Sequence, residues 1–172
     1  MYAGFMAWFT AAPVIYLQRL EIQPNTFGQI AFITTALCML LGSVSVAKLV
    51  NRFGVSAMLC TGLRLSMLFS LLLFVLEFEQ WVSVASLVVV VFFYFYGTGF
   101  VWPAAFGGAM KPFAKHAGIA GALYGTIQVF RGFVGAQIVA YLSESTLYPI
   151  ATLMLFAPAL SLMVLHSAID EA

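Results

Sequence analysis

Six long runs of apolar residues, separated by short polar breaks, dominate the chain. The runs extend over about 1–17, 27–50, 55–76, 81–106, 117–142 and 148–166. An α-helix needs roughly 20 such residues to cross a bilayer. The breaks hold residues that are typical of turns, such as Pro24, Asn25 and Gly54. The pattern therefore predicts an all-α integral membrane fold, with six transmembrane helices in a single bundle that covers residues 1–172.

The composition agrees with a membrane protein and leaves little room for other classes. Hydrophobic residues make up 63% of the chain, charged residues make up 8%, and the mean hydropathy is +1.05. A net charge of +1, with the basic residues spread along the chain, argues against nucleic acid as a partner. Cys38 and Cys60 both lie in apolar runs, which is typical of small buried side chains rather than of a disulfide or a metal site.

Enzymatic chemistry has no support in the pattern of polar residues. The sequence contains no paired-carboxylate site, no His and Glu spacing that suits a metal, and no glycine-rich phosphate loop. We therefore expect no catalytic residues, no metal and no cofactor.

The distribution of basic residues predicts the orientation of the helices. Lys48 and Arg52 flank the second connection and Lys111 and Lys115 flank the fourth, whereas the odd connections hold only Arg19. Basic residues are enriched in cytoplasmic loops. The second and fourth connections and both termini are therefore predicted to be cytoplasmic.

The first run is short for a membrane span. It has roughly 17 residues, near the lower limit for a helix that crosses a bilayer, and Pro13 lies inside it. The run is typical of a transmembrane helix that lacks its first residues. Two alternatives stay open: a natural half-size protein or a fragment of a longer one.

Polar and small residues form two adjacent stripes on the fifth predicted helix. At about 100° per residue, one sector holds Tyr124, Gln128, Arg131 and Gly135, and the next holds Gly118, Gly121, Gly125 and Gly132. Small residues let another helix backbone approach closely. We predict that the glycines pack against a helix and that the polar stripe faces a cavity or a partner helix.

Arg131 lies near the middle of this helix, and no acidic residue is expected at the same depth. An arginine inside the membrane costs at least a few kcal/mol and usually faces a bundle interior or a wet cavity. It is therefore the leading candidate for a cavity-lining residue, together with Gln128 and Tyr124. The alternative is that Arg131 only donates hydrogen bonds to carbonyl groups inside the bundle.

Two further groups of residues are candidates. Arg64 is a second intramembrane charge in the third run, although its long side chain could instead reach the cytoplasmic interface. The fourth run combines Tyr94 and Tyr96 with Gly97 and Pro103, residues that permit a bend. Both tyrosines are predicted to line a cavity, with simple packing as the alternative.

The acidic residues lie outside the hydrocarbon depth of every predicted span. Glu77, Glu79 and Glu144 lie at helix ends, and Asp170 and Glu171 lie in the tail. Because arginine stays charged at every relevant pH, this chain offers no intramembrane carboxylate for a proton relay. Proton coupling would need a group on another polypeptide segment.

Several motifs, in order, resemble a known family. They are 9-FTAAPVIY-16, Phe27-Gly28, Gly42 through 51-NRFG-54, Gly97-x-Gly99-x-x-x-Pro103 and 117-AGIAGALYG-125. The order is similar to that in the six C-terminal helices of major facilitator superfamily drug:proton antiporters, nearest to the Bcr/CflA-type multidrug exporters. Three positions depart from the family pattern: Gly121 replaces a usual Ser, Ala104 a usual Asn, and Arg131 a usual neutral residue.

This resemblance implies a function. The chain would be the C-terminal half, helices seven to twelve, of a secondary active exporter in the bacterial inner (plasma) membrane. Its first, second, fourth and fifth helices would line a cavity for a small hydrophobic or amphipathic substrate. The proton-coupling residues would belong to an N-terminal half, encoded separately or lost by truncation.

Two other functions remain open at this point. Two copies of the chain could form a homodimeric facilitator in which each copy supplies one wall. Alternatively, the chain could be a non-transporting membrane protein, either a remnant or an assembly partner whose glycine stripe docks another helix bundle.

Overall fold

The computed structural model describes residues 1–142 and 146–170, and all of the regular structure in this part of the chain is helical. Each of the six apolar runs forms a helix. The elements are α1 (Tyr2–Pro13), a π-helix (Val14–Arg19) that continues it, α2 (Pro24–Phe53), α3 (Val55–Phe78), α4 (Val84–Met110), a 3₁₀ segment (Lys111–His116), α5 (Ala117–Leu142) and α6 (Tyr148–Asp170).

Local chemistry sets several helix ends. Gly54, with a φ of 82°, separates α2 from α3 as a single residue, a backbone conformation that favours glycine. The start of α4 falls at Val84, three residues later than hydropathy predicts. The reason is a capping box: Ser83 Oγ accepts from the Ser86 N–H at 3.2 Å, and Ser86 Oγ accepts from the Ser83 N–H at 2.9 Å.

The first helix changes its winding after Pro13. Proline has no N–H for an intrahelical bond, and the six residues that follow it form a π-helix, in which the Leu20 N–H donates to the Ile15 carbonyl at 3.0 Å. The segment is followed by Glu21, which has a φ of 53°. The sequence predicts a kink at Pro13, but the wider helix is a new finding.

Four helices in the described chain are long and apolar enough to cross a membrane. They are α2, α3, the stretch Val84–Phe113 and the stretch Tyr148–Ser167. Four of the six predicted spans therefore have the length and composition of a membrane helix. The regular part of α1 has only 12 residues, and α5 carries Arg131, two glutamines and five glycines, which lower its hydropathy. Large apolar side chains such as Phe32 and Phe78, each 75% exposed, point outward as expected for a lipid-facing surface.

The helices pack as two interlocked groups of three. In the first group, α2 and α3 pack on α4; in the second, α5 and α6 pack on α1; and α3 packs on α6. Exchanging α1–α3 with α4–α6 reproduces the same set of contacts. Because consecutive helices alternate in direction, α1 and α4 run in opposite directions, so the axis that relates the two groups lies across the helices.

Two of the close helix contacts follow the same repeat. A Cβ on Gly42 of α2 would lie 2.9 Å from the Cα of Gly99 in α4, and a Cβ on Gly135 of α5 would lie 2.8 Å from the Cα of Ala3 in α1. Gly42 and Gly135 both lie 18 residues after the first residue of their helices. The α2–α4 and α5–α1 contacts therefore use the same helix position for a close approach.

The arrangement gives the bundle a front and a back. At the back, α3 and α6 lie side by side. In front of them, α4 packs on α3 and α1 packs on α6, and α2 and α5 lie at the flanks. The surface where α1 meets α4, away from α3 and α6, is the front.

Candidate functional site

Aromatic side chains fill the front surface between α1 and α4. Tyr2, Phe5 and Phe9 lie on one face of α1, and Phe95 and Trp102 lie two turns apart on α4. We call these five residues the aromatic wall. Phe5 lies at its centre, with its ring centroid 4.9 Å from that of Phe95 and 5.0 Å from that of Trp102. Such spacings are favourable for aromatic pairs.

The aromatic wall is exposed along one edge. Phe95 is fully buried and forms its base, whereas Phe9 is 39% exposed and the other three side chains are half-buried. The spacing of Tyr2, Phe5 and Phe9 would have indicated a common helix face. Which helix they meet could not be predicted from that spacing.

A second aromatic pair extends this surface to α5. Phe106, one helical turn after Trp102, contacts Tyr124 with ring centroids 5.4 Å apart. On α5, a Cβ on Gly132 would lie 2.6 Å from the Tyr2 ring. The surface therefore runs from α1 across α4 to the middle of α5.

Arg131 lies at the edge of this surface. It precedes Gly132, which contacts Tyr2, and its side chain is exposed. Tyr124, two helical turns earlier, and the Met1 amino group, also a cationic group, both lie within electrostatic range of its guanidinium. Arg131 thus lies at the edge of an aromatic surface, with Gln128 half-buried one turn earlier.

The two tyrosines predicted on α4 lie in different environments. Tyr96 is half-buried, and its hydroxyl forms a hydrogen bond of 2.9 Å with the Ser45 hydroxyl of α2. Tyr94 is fully buried, away from the front surface, with its hydroxyl close to Gly4 and to the backbone of α6. Among the described residues, Tyr94 Oη is a buried side-chain atom with no hydrogen-bond partner. Tyr94 therefore packs inside the bundle, with its ring centroid 5.7 Å from that of Phe95, and its cavity-lining role stays a prediction.

Arg64 is exposed on α3, one of the two helices at the back of the bundle. Helical side chains tilt toward the N-terminal end of their helix, so the guanidinium can reach toward Val55 and the membrane interface. The structure separates Arg64 from the front surface that holds Arg131.

The predicted packing glycines divide into two groups. Gly132, and with it Gly135, contacts α1 closely. Gly118, Gly121 and Gly125 belong to the earlier half of the same helix, and a Cβ on any of them would meet no atom within 4 Å. A packing role for these three stays a prediction.

An ion pair that the sequence analysis did not foresee lies at the opposite end of the bundle. Arg19 Nη1 and Glu77 Oε2 are 2.7 Å apart, with the Glu77 side chain 4% exposed. The pair joins the end of the π-helix to the end of α3. The pair also holds the Glu77 carboxylate at this end of the bundle.

Neither of two depressions on the described chain is lined by a residue of the aromatic wall. The larger, of about 660 Å³, is lined only by residues near the end of α5, including Gln137 and Tyr141. The smaller, of about 10 Å³, lies between Tyr16, Thr34 and Val91. The described residues include no group of three or more His, Cys, Asp or Glu side chains that could hold a metal ion.

Comparison with known proteins provides no relative from which a function could be transferred. No family model matches the chain, and no curated protein or solved structure is similar to it. The functional argument therefore rests on the helix arrangement and on the front surface.

Proposed function

We propose that this chain is one half of a secondary active exporter of small molecules, the half that corresponds to the six C-terminal helices of a major facilitator transporter. A second six-helix half completes the translocation path. The chain lies in a bacterial inner membrane with both termini in the cytoplasm.

The interlocked helix groups carry the proposal. Three helices followed by three helices of inverted direction, related by an axis across the bundle, form the repeat found within each half of major facilitator transporters. The first helix of each triplet packs on two helices of the other triplet: α1 packs on α5 and α6, and α4 packs on α2 and α3. In such transporters the substrate site lies at the interface of repeats, near the midplane of the membrane.

The front surface supplies a second line of support. An arginine near the middle of a membrane helix is costly and is usually found where it faces a cavity or a partner. Arg131 is exposed beside the α1–α4 front. A facing half would enclose this surface and turn it into a wall of a cavity.

The uncovered glycines favour a second candidate function, that of an assembly partner. Gly118, Gly121 and Gly125 offer small side chains at helix-packing spacing with no neighbour in place. In that case the chain binds another helix bundle without moving a substrate.

Accumulation of a fluorescent substrate in cells tests the proposal. Cells of the native host that lack this chain should accumulate at least one of a set of fluorescent amphipathic dyes that includes anionic and cationic members, and re-expression should restore its efflux. Arg131→Ala should fail to restore efflux, whereas Arg64→Ala, a change of the same chemistry on the back surface, should restore it. Membrane levels of each variant provide the control for expression.

The opposite outcome would favour the second candidate function, that of an assembly partner. In that case Arg131→Ala leaves dye accumulation unchanged, while Gly125→Leu abolishes co-purification with another membrane protein. Such a result would overturn the transport proposal.

A further inference from the structure

The front surface combines extensive aromatic area with one positive charge. The exposed edges of Tyr2, Phe5, Phe9 and Trp102 lie on one side, and the Arg131 guanidinium lies on the other. We infer that this surface binds aromatic anions, molecules with one or two fused rings and a carboxylate or sulfonate group. The inference rests on the proposed function, because it names the substrate class of the same site.

The aromatic wall can bind the ring system of such a ligand. Offset or edge-to-face stacking is favourable between rings whose centroids lie 4.5–7 Å apart. The wall already contains such pairs, from 4.8 Å for Phe5 and Phe9 to 5.9 Å for Phe9 and Phe95. Its exposed edge can therefore continue the same packing with a planar ligand.

The charge of the ligand follows from the absence of a counter-ion near Arg131 in the described chain. In the described chain, the Glu77 carboxylate is paired with Arg19 at the opposite end of the bundle, Glu21 and Glu79 lie in connections at that same end, and Asp170 is the last residue of α6. Guanidinium groups bind carboxylates and related oxyanions with paired hydrogen bonds. An anionic ligand would provide the partner that the chain lacks.

A cationic ligand is disfavoured at the same place. Aromatic faces attract cations, but this attraction is modest compared with repulsion from a full charge nearby in a medium of low dielectric constant. Arg131 would stand beside any cation stacked on Tyr2 or Trp102. The surface should therefore discriminate strongly between ligands of opposite charge and identical ring.

Titration calorimetry with matched probes tests the inference on the full chain in phosphatidylcholine nanodiscs. The probes are naphthalene-2-sulfonate and 2-naphthyltrimethylammonium, which share a ring system and differ in charge. We expect the sulfonate to bind at least ten times more tightly than the ammonium probe. Arg131→Gln should remove this preference, Arg131→Lys should keep part of it, and Arg64→Gln should leave it unchanged.

Three outcomes would overturn the inference: equal binding of the two probes, tighter binding of the cation, or a preference that Arg64→Gln removes and Arg131→Gln does not. Loss of sulfonate binding in discs that contain phosphatidylglycerol would also overturn it, since an acidic lipid would then be the occupant. Circular dichroism confirms that each variant is folded.

The test separates this inference from the proposed function. Binding to the isolated chain needs no second half and no transport. If the sulfonate binds through Arg131 but cells show no efflux, the transport proposal fails and the site stands. If efflux depends on Arg131 but cations bind better, the substrate class assigned here is wrong.

Discussion

Arg19 and Glu77 form an ion pair of 2.7 Å between residues 58 positions apart, at the end of the bundle opposite to Gly54. The Glu77 side chain is almost fully enclosed, and the Gln80 side chain donates to the Glu77 carbonyl at 2.7 Å. The pair therefore ties the π-helix to the end of α3. It fixes two chain reversals at once, near Glu21 and Gln80, which both have a positive φ.

Breaking this pair should destabilise the bundle. Glu77→Gln and Arg19→Gln should each lower the free energy of unfolding by about 2 kcal/mol, below the roughly 3–5 kcal/mol of a fully buried pair, because Arg19 is partly exposed. Unfolding in sodium dodecyl sulfate, followed by circular dichroism, measures the change. Glu79→Gln, at an exposed site two residues away, is the control.

The double variant completes this test. If the pair acts as a unit, Arg19→Gln and Glu77→Gln together should cost clearly less than the sum of the single changes. Strict additivity would contradict the prediction.

The contact between Gly42 and Gly99 predicts that alanine substitution changes stability differently at two glycines of α2. A Cβ on Gly42 would lie 2.7 Å from the Tyr96 carbonyl oxygen, so Gly42→Ala should cost about 1–3 kcal/mol of stability. Gly28 has no atom within 4 Å of its Cβ position, and Gly28→Ala should stabilise α2 by up to about 1 kcal/mol. Thermal unfolding in the same detergent compares the two, and equal effects would contradict the α2–α4 packing.

The two tyrosines of α4 should respond in opposite directions to loss of their hydroxyl groups. Tyr94→Phe removes a buried hydroxyl that has no partner among the described residues, and should stabilise the protein by about 1 kcal/mol. Tyr96→Phe removes a hydrogen bond to Ser45, and should destabilise it by about 1 kcal/mol. The midpoint of thermal unfolding gives the sign of each change.

Gly4 provides an independent check on the position of Tyr94. A Cβ on Gly4 would lie 2.6 Å from Tyr94 Oη, so Gly4→Ala should be more harmful in the wild-type chain than in the Tyr94→Phe variant. The same cost in both backgrounds would show that the hydroxyl does not lie where the structure has it.

Arg64 should be replaceable by an apolar residue. Because it is exposed on the back of the bundle, Arg64→Leu should favour membrane insertion of α3 by roughly 1–3 kcal/mol, less than the full cost of a central arginine because the side chain can reach the interface. Insertion of the α3 segment, measured by glycosylation of flanking sites, tests this. A lower inserted fraction for Arg64→Leu would contradict it.

The helices could be predicted from the sequence because a membrane span is encoded locally, by the length of an apolar run. The predicted limits of the fifth helix, 117–142, coincide with those of α5. The shifted start of α4 depends on Ser83 and Ser86, whose capping chemistry is also local but is weaker than the hydropathy signal around Trp81.

The pairing of helix faces could not be predicted in the same way. In a membrane helix both the buried side and the lipid side are apolar, so the pattern of hydrophobic residues does not distinguish them. That is why the aromatic wall, the burial of Tyr94 and the exposure of Arg64 emerged only from the structure. The Arg19–Glu77 pair was missed for a related reason, since its members follow two different apolar runs and lie 58 residues apart.

The interlocked packing also bears on how the chain is made. The main helix partners of α1 are α5 and α6, which are translated last. Nearly the whole chain must therefore leave the ribosome before α1 can pack, and until then its face with Ala3 and Gly4, which meets α5 and α6, has to be held by lipid or by the insertion machinery. Biogenesis of this bundle should depend on the completion of its final hairpin more than on the order in which its helices emerge.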